Sequence, residues 1–254
     1  MSRQDIVFTG LVGKYESLNE LNLKKNADTR YVCFTDDPNL VSDTWEVIVI
    51  RNENDLSPVR LSRKIKMLGH TFFPENSRIL YIDNTVTLKI DGAQILDAWL
   101  SDCSLAFMEH SSRKSVRNEF FICSAYGLDS ENEIYRQFRY YRKNHHEILD
   151  QKPHWGGMIA RINNREANLF METWFDQYQN FSRRDQLSIN VSQKICGVEF
   201  KTILAHNSNS KWHNWPIHTN RDTTARDSTS NKKFRKLNII WNAIRFGPRY
   251  YFFR

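Results

Sequence analysis

Short apolar runs recur along the chain, bounded by polar or turn residues, and longer stretches with helical spacing lie between them. DIVFT (5–9), RYVCF (30–34), WEVIVI (45–50), RILYI (78–82) and SLAFM (104–108) read as strands. MIARI (158–162), after a turn at Trp155-Gly156-Gly157, and VEFKTIL (198–204) complete the set. The segment GLVGKYESL, directly after the first strand, reads as a turn into a helix. From Pro58 to His70, Leu61, Ile65 and Leu68 fall on one helical face, with Arg60, Arg63, Lys64 and Lys66 elsewhere. Residues 94–101, 131–149 and 165–179 also read as helical, and RRDQLSINVSQK opens a further helix. Alternating strands and helices predict an α/β domain with a mostly parallel central sheet flanked by helices.

The 254 residues suffice for one large domain with a full core. We place that domain at 1–218, a polar linker rich in Thr, Ser, Asn and Asp at 219–231, and a basic aromatic tail at 232–254. Charge sharpens this division. The chain carries 36 Lys and Arg against 29 Asp and Glu, and seven of the basic residues follow the last acid, Asp227. The body before the tail is therefore formally neutral, which argues against a nucleic-acid-binding body. In the tail, helical projection gathers Phe234, Leu237, Ile240, Trp241 and Ile244 on one arc, and RYYFFR ends the chain. Two readings fit: a peripheral anchor on an anionic membrane surface, or a helix that docks on the domain. No apolar run is long enough to span a membrane. The four cysteines, Cys33, Cys103, Cys123 and Cys196, sit far apart among apolar neighbours, which fits a reducing, cytoplasmic compartment.

Ligands of open α/β sheets bind beyond the carboxyl ends of the strands. Thr9-Gly10, Thr35-Asp36-Asp37, Asp83-Asn84-Thr85 and His206 stand there. YIDNTVTL delivers Asp83 from the end of an apolar strand, where a carboxylate can hold Mn²⁺ or Mg²⁺ on a diphosphate. An Asx-turn accounts equally for Asp83-Asn84. Two of Arg60, Arg63, Lys64 and Lys66 can neutralise a diphosphate, or the run is a solvated helix face. Asp185 in RRDQLS can cap a helix, contact sugar hydroxyls or act as a base. His206 is a candidate metal ligand, with His213 and His218 as rivals. Lys211 and Trp212 can meet a phosphate and a sugar face. His145 and His146 read as exposed, and His70, His110 and His154 lack metal-like spacing from one another. GxGxxG, GxxxxGK[ST] and GxSxG are all absent. A sugar nucleotidyltransferase on a related fold would need a Gly-rich basic loop, of which Gly10 to Lys14 is a thin version. A non-catalytic nucleotide- or carbohydrate-binding protein is the other alternative.

In order, FTGLVGKYESL, YVCFTDDP, RLSRKIKMLGHTFFP, LYIDNTVTL, Glu109-His110 with Arg113 and Glu119, and Trp174 ahead of FSRRDQLS resemble a glycosyltransferase-like family long catalogued as a domain of unknown function. Its plant members are linked to mucilage and cell-wall synthesis, and the likeness runs from about residue 6 to about residue 192. More distantly, His206, Lys211 and Trp212 resemble the His-Lys-Trp signature of family 8 retaining glycosyltransferases. The resemblance implies a single GT-A-type, Rossmann-like domain. It also implies transfer from a nucleotide sugar, a uridine diphosphate sugar first among them, to a glycan or glycolipid acceptor. Thr9 and Tyr15 would line the nucleotide pocket, and Asp36 or Asp37 would meet base or ribose. Arg63 and Lys66, with Lys211, would meet the diphosphate. Asp83, with His206, would face a cation, Mn²⁺ or Mg²⁺. His110, Arg113 and Glu119 resemble the family's central polar cluster, Gly156 and Gly157 would leave room for the sugar, and Asp185 would contact donor or acceptor. The second acid of a DxD motif is replaced by Thr85, and a basic side chain such as Lys66 can supply the missing charge.

Overall fold

The computed structural model describes residues 4–220 and Phe246. Its strands are β1 (Asp5–Leu11), β2 (Thr29–Thr35), β3 (Glu46–Val49), β4 (Arg78–Ile82), β5 (Thr87–Leu88), β6 (Leu105–Glu109), β7 (His154–Ile162), β8 (Lys201–Ile203) and β9 (His213–Asn214). Seven of them form one sheet in the order β3-β2-β1-β4-β7-β6-β8, and β5 pairs with β9 in a small ribbon. β7 is antiparallel to β4 and β6, and the other pairs of the large sheet are parallel. The helices are α1 (Pro58–Leu68), α2 (Gly92–Trp99), α3 (Val116–Ala125), α4 (Glu131–Asn144), α5 (Arg165–Asn180) and α6 (Ile189–Cys196). This is the mostly parallel α/β domain that the strand–helix alternation predicts.

Both sheet faces are covered, so its strands are apolar on both sides. Ile6 and Phe8 of β1 point to one face and pack with Leu61 and Ile65 of α1 and Phe170 and Trp174 of α5. Val7 and Leu11 point the other way and join Ile95, Leu96 and Trp99 of α2. Asp91 starts α2 by accepting from the Ala93 amide, and it also takes the Tyr31 hydroxyl and the Asn26 amide. A third cluster lies among α3, α4 and α6, around Phe120, Phe138, Tyr141 and Val191. Phe246 is buried there, its ring 4.8 Å from that of Phe138. Thr219, first residue of the expected linker, is buried and donates its hydroxyl to Glu16. Apart from Asn220, the rest of the linker and tail lies outside the described residues. The four cysteines are free thiols, and no helix among the described residues is long and apolar enough to cross a membrane.

Three local expectations need correction. GLVGKYESL forms no helix: Gly10 and Leu11 extend β1, and the chain then turns through Gly13 (φ 84°) and Lys14 (φ 53°). Positive φ at two successive residues is incompatible with a helix. A Cβ at Gly13 would stand 2.5 Å from Pro58, so only glycine fits against the start of α1. The Trp155-Gly156-Gly157 turn is strand: all three lie in β7, where the register against β6 jumps from Phe107↔Ile159 to Met108↔Trp155. The glycines mark a bulge in a buried strand. Helix α3 went unread, because its apolar residues lack a clean amphipathic period between Ser115, which caps it, and Tyr126.

Candidate functional site

The carboxyl ends of β1, β2, β4 and β6 and the amino end of β7 share one edge of the sheet. A charged cluster is built there around Lys66, in the last turn of α1. Lysines are among the side chains least often buried, yet Lys66 is 1% exposed. Its ammonium donates to Asp185 Oδ2 at 2.6 Å and stands 3.7 Å from Asp83 Oδ1. The ring faces of Tyr81 and Trp174 flank it at 5.2 and 5.6 Å. Position 156 forms the remaining wall: a Cβ there would lie 2.8 Å from Lys66 Nζ, so Gly156 makes the space the ammonium occupies.

Each carboxylate is held by its own element. Asp83 follows β4, donates its amide to the Gly157 carbonyl (2.9 Å), and accepts on Oδ1 from the Tyr81 hydroxyl at 2.7 Å. Its side chain is 29% exposed, so it faces the cleft. Asp185 begins a short 3₁₀ turn, Asp185–Ser188, between α5 and α6, and Trp174 Nε1 donates to its carbonyl at 2.9 Å. Arg63 Nε lies 3.0 Å from Asp185 Oδ2, and the Gln186 amide donates to Oδ1 at 3.1 Å. Burial alone would raise the Asp185 carboxyl, but Arg63, Lys66 and Arg184 overcome it and hold the group well below the usual carboxylate range. Burial likewise works against the Arg63 charge, and Asp185 and then Asp83 hold it above its ordinary value.

A second cluster follows β6. Arg113 donates to Oε2 of Glu119, which is 2% exposed on α3, and the Cys123 thiol donates to Oε1 at 3.3 Å. Burial lowers His110 to about 4, with Glu119 opposing and Arg113 and Lys152 assisting. Arg184 feels both Asp185 and Glu119, which joins the clusters into one field. Lys66, Arg63, Arg184 and Arg113 make four cations against three carboxylates, Asp83, Asp185 and Glu119. The surplus is positive and faces the strand ends.

The other expected residues are placed differently. Thr9 is wholly buried in β1 on the face opposite Phe8, its hydroxyl without a hydrogen-bond partner among the described residues. Asp36 accepts from the Gly13 amide at 3.0 Å and so fixes the loop after β1. Asp37 accepts from the Asn39 amide and pairs with Lys14 at 3.0 Å, both of which lower its carboxyl. Tyr15 stands half-buried in the same loop. Lys211 is exposed, with its ammonium 4.8 Å from the Trp212 ring centre. His206 is exposed and shares Nδ1 with the Ser208 hydroxyl at 2.8 Å. Its rival His213 is buried, with both ring nitrogens engaged, by Ser210 Oγ at 2.8 Å and the Asn207 carbonyl at 2.7 Å. His218 is exposed and accepts from the Asn220 amide.

The donor set fits a divalent ion poorly. Asp83 is the single acid of its turn, and Thr85, in place of a second, accepts from Trp215 Nε1 at 3.1 Å. No group of three or more His, Cys, Asp or Glu among the described residues is placed to hold a metal. The region is braced instead by the segment 207–219. Ile217 donates to the Thr85 carbonyl, Lys89 to the Trp212 carbonyl and Ser17 to the Thr219 carbonyl. From the other side, Asn84 accepts from the Asn19 amide and donates to the Ser17 carbonyl.

Sequence reasoning missed Tyr81, Arg184, Thr85 as a partner of Trp215, and the place of Trp174 beside the ammonium. Tyr81 had a signal: it lies two residues before Asp83 on a strand and so on the same face. Arg184 stands directly before Asp185 in RRDQLS but reaches Glu119 only through the tertiary fold, and Trp215 had no signal, since it reaches Thr85 only that way.

The model of the TOD1/MUCI70, glycosyltransferase-like domain family matches residues 4–211. Among curated proteins, a probable hexosyltransferase, MUCI70 of Arabidopsis thaliana, is 28% identical over 170 residues, which is 63% of this chain and 29% of that protein. The chain thus spans less than a third of the relative's length.

Proposed function

Since the chain belongs to the TOD1/MUCI70 glycosyltransferase-like family, we propose that it transfers a hexosyl group from a nucleotide sugar, a uridine diphosphate sugar in the first instance, to a glycan or lipid-linked acceptor. The observation that carries this reading is the positive cluster at the strand ends, with Lys66 and Arg63 beside Asp83. When the anomeric carbon–oxygen bond breaks, its electron pair stays on the nucleoside diphosphate. The acceptor oxygen bonds to the anomeric carbon, and the hydroxyl proton is released. Charge develops on the departing diphosphate, where fixed cations in a dry site stabilise it most. Were Mn²⁺ or Mg²⁺ bound, Asp83 would be its ligand on this chain, and the ion would offset the same charge.

Asp185 takes a different part from that of a base. It is 2% exposed, and Arg63 and Lys66 occupy it, so its role is to set the cations in place. Glu119 in turn sets Arg113. The loop of Gly13, Tyr15, Asp36 and Asp37 forms the rim on which base and ribose would rest, and Gly157 holds the Asp83 turn. The basic residues Lys232, Lys233, Arg235 and Lys236 would draw the domain to an anionic membrane surface, with about 1 kcal/mol for each. Replacing the four with Gln should abolish binding to anionic vesicles. Undiminished binding would remove the membrane from this reading.

The central test is thermal stabilisation by a panel of nucleoside diphosphates, followed by product analysis with the matching nucleotide sugars. Ligand at 100 times its dissociation constant adds about 2.7 kcal/mol, roughly 5–10 °C in Tm for a domain of this size. Stabilisation with release of nucleoside diphosphate supports a transferase. Stabilisation without turnover would leave a binding protein, consumption of added pyrophosphate to give a nucleoside triphosphate and a sugar 1-phosphate a nucleotidyltransferase, and no stabilisation by any nucleotide would refute the proposal.

A further inference from the structure

A divalent ion at this sheet edge would find no group of three or more His, Cys, Asp or Glu among the described residues placed to hold it. Asp83 Oδ1 takes the Tyr81 hydroxyl and faces Lys66 at 3.7 Å. Thr85 Oγ1 takes the Trp215 indole, and its carbonyl takes the Ile217 amide, so the position of a second acid is spent on holding the segment 207–219. Both ring nitrogens of His213 are bonded, and His206 lies exposed against Ser208.

What the chain does build is a seat for an ammonium. A long, flexible lysine is held at 1% exposure by a carboxylate at 2.6 Å, two aromatic faces and a gap at Gly156. A buried ion pair is poor evidence for stability, because desolvation costs about as much as attraction returns. One set beside a half-open carboxylate, with a second cation, Arg63, on the same helix, therefore calls for a reason other than stability. A fixed, desolvated cation has the charge and hydrogen-bond donors to meet a phosphate oxygen.

Resting on the transferase reading, we infer that Lys66, set by Asp185 and assisted by Arg63, is the resident cation of the donor site, and that this site binds the diphosphate of a nucleotide sugar without a divalent metal ion. Thr85 is then the residue that frees the turn from metal binding and hands it to Trp215. Asp185 is a positioning residue, acting on the donor only through Lys66 and Arg63.

The test is calorimetric titration of the full chain with uridine, guanosine, cytidine and adenosine diphosphates, in excess EDTA and again with Mn²⁺ or Mg²⁺. Affinity for one of them should be unchanged within about threefold between the two conditions. The paired variant Lys66→Met/Asp185→Asn removes the buried ammonium and its carboxylate together and leaves Arg63 facing Asp83, and a cooperative urea transition checks that it is folded before it is titrated. It should lose tenfold or more in affinity, since a hydrogen bond to a charged group contributes about 1.5–3 kcal/mol. Binding that appears only with Mn²⁺ or Mg²⁺ would overturn the inference and leave the transferase reading intact. Binding in EDTA that the folded paired variant retains would overturn the role of Lys66. Binding in neither condition would take the transferase reading down with it.

Discussion

Asp185→Asn isolates the central electrostatic claim, because it changes one charge and almost no volume. In the native protein the carboxylate is 2% exposed and accepts the Lys66 ammonium at 2.6 Å, with Arg63 Nε at 3.0 Å. The amide leaves Lys66 with one opposite charge, Asp83, at 3.7 Å. It also turns a donor toward two donors if its NH₂ faces them. Removing one partner of a buried pair costs about 3–5 kcal/mol, since the remaining ion stays desolvated. At about 2–4 °C per kcal/mol for a domain of this size, Tm should fall by roughly 6–20 °C. In urea the midpoint should drop with the slope unchanged.

The pH dependence gives a second, independent reading of the same substitution. The folded-state carboxyl is held below its unfolded value of about 3.9. Its contribution is therefore fully present above the unfolded value and is lost as pH falls through the folded one. The stability gap between native protein and Asp185→Asn should be full at pH 6–7 and narrow progressively below about pH 4. A loss under about 1 kcal/mol at pH 7 would show the pair to be solvated. A gap that stays constant into the acid range would show that its origin is not the Asp185 charge.

Gly156→Ala places a Cβ 2.8 Å from Lys66 Nζ and should push the ammonium off its seat. Nucleoside diphosphate affinity should fall about tenfold or more, and unchanged affinity would show that the gap is not required. His110, lowered to about 4 by burial, and His70, lowered to about 4 by burial and by Arg161, stay neutral in the folded state. The unfolded chain takes up those protons first, near pH 6.5, so stability should decline from about pH 6.5 toward pH 4. His70→Gln should flatten that decline in a Tm-against-pH series, and an unaltered slope would contradict it. Arg161 is 1% exposed in β7, with Nε and one terminal nitrogen lacking hydrogen-bond partners among the described residues, and burial lowers it to about 9. Arg161→Met should therefore raise stability by about 1–3 kcal/mol, and a fall in the urea midpoint would argue against this.

Periodicity carried most of the architecture because the sheet is buried on both faces, which leaves short strands such as RYVCF and RILYI as apolar runs with sharp polar ends. Those ends also made the site edge legible, since parallel strands must deliver Gly10, Asp36 and Asp83 to the same side. The failures have local causes. Gly156 and Gly157 read as a turn because the sequence does not show that Lys66 and the Trp155 ring fill the space their missing side chains leave. GLVGKYESL read as helical because Asp36, which captures the Gly13 amide, is 23 residues away.

The site itself was legible as a set of residues but not as a set of bonds. Asp83 and Asp185 stood out by their place in the chain and Lys66 and Arg63 by the family resemblance, yet nothing along the chain links positions 66 and 185, whose side chains meet at 2.6 Å across 119 residues. That pairing changes the chemistry assigned to both. Alone, Asp185 reads as a base and Lys66 as one charge on a solvated face. Bonded to each other and buried, the carboxylate is held ionised and poorly basic, and the ammonium is fixed beside Asp83. Thr85 follows the same logic. In the sequence it is a missing acid; in the fold its hydroxyl accepts from Trp215, and the positive charge beside Asp83 is the Lys66 ammonium at 3.7 Å, presented by α1.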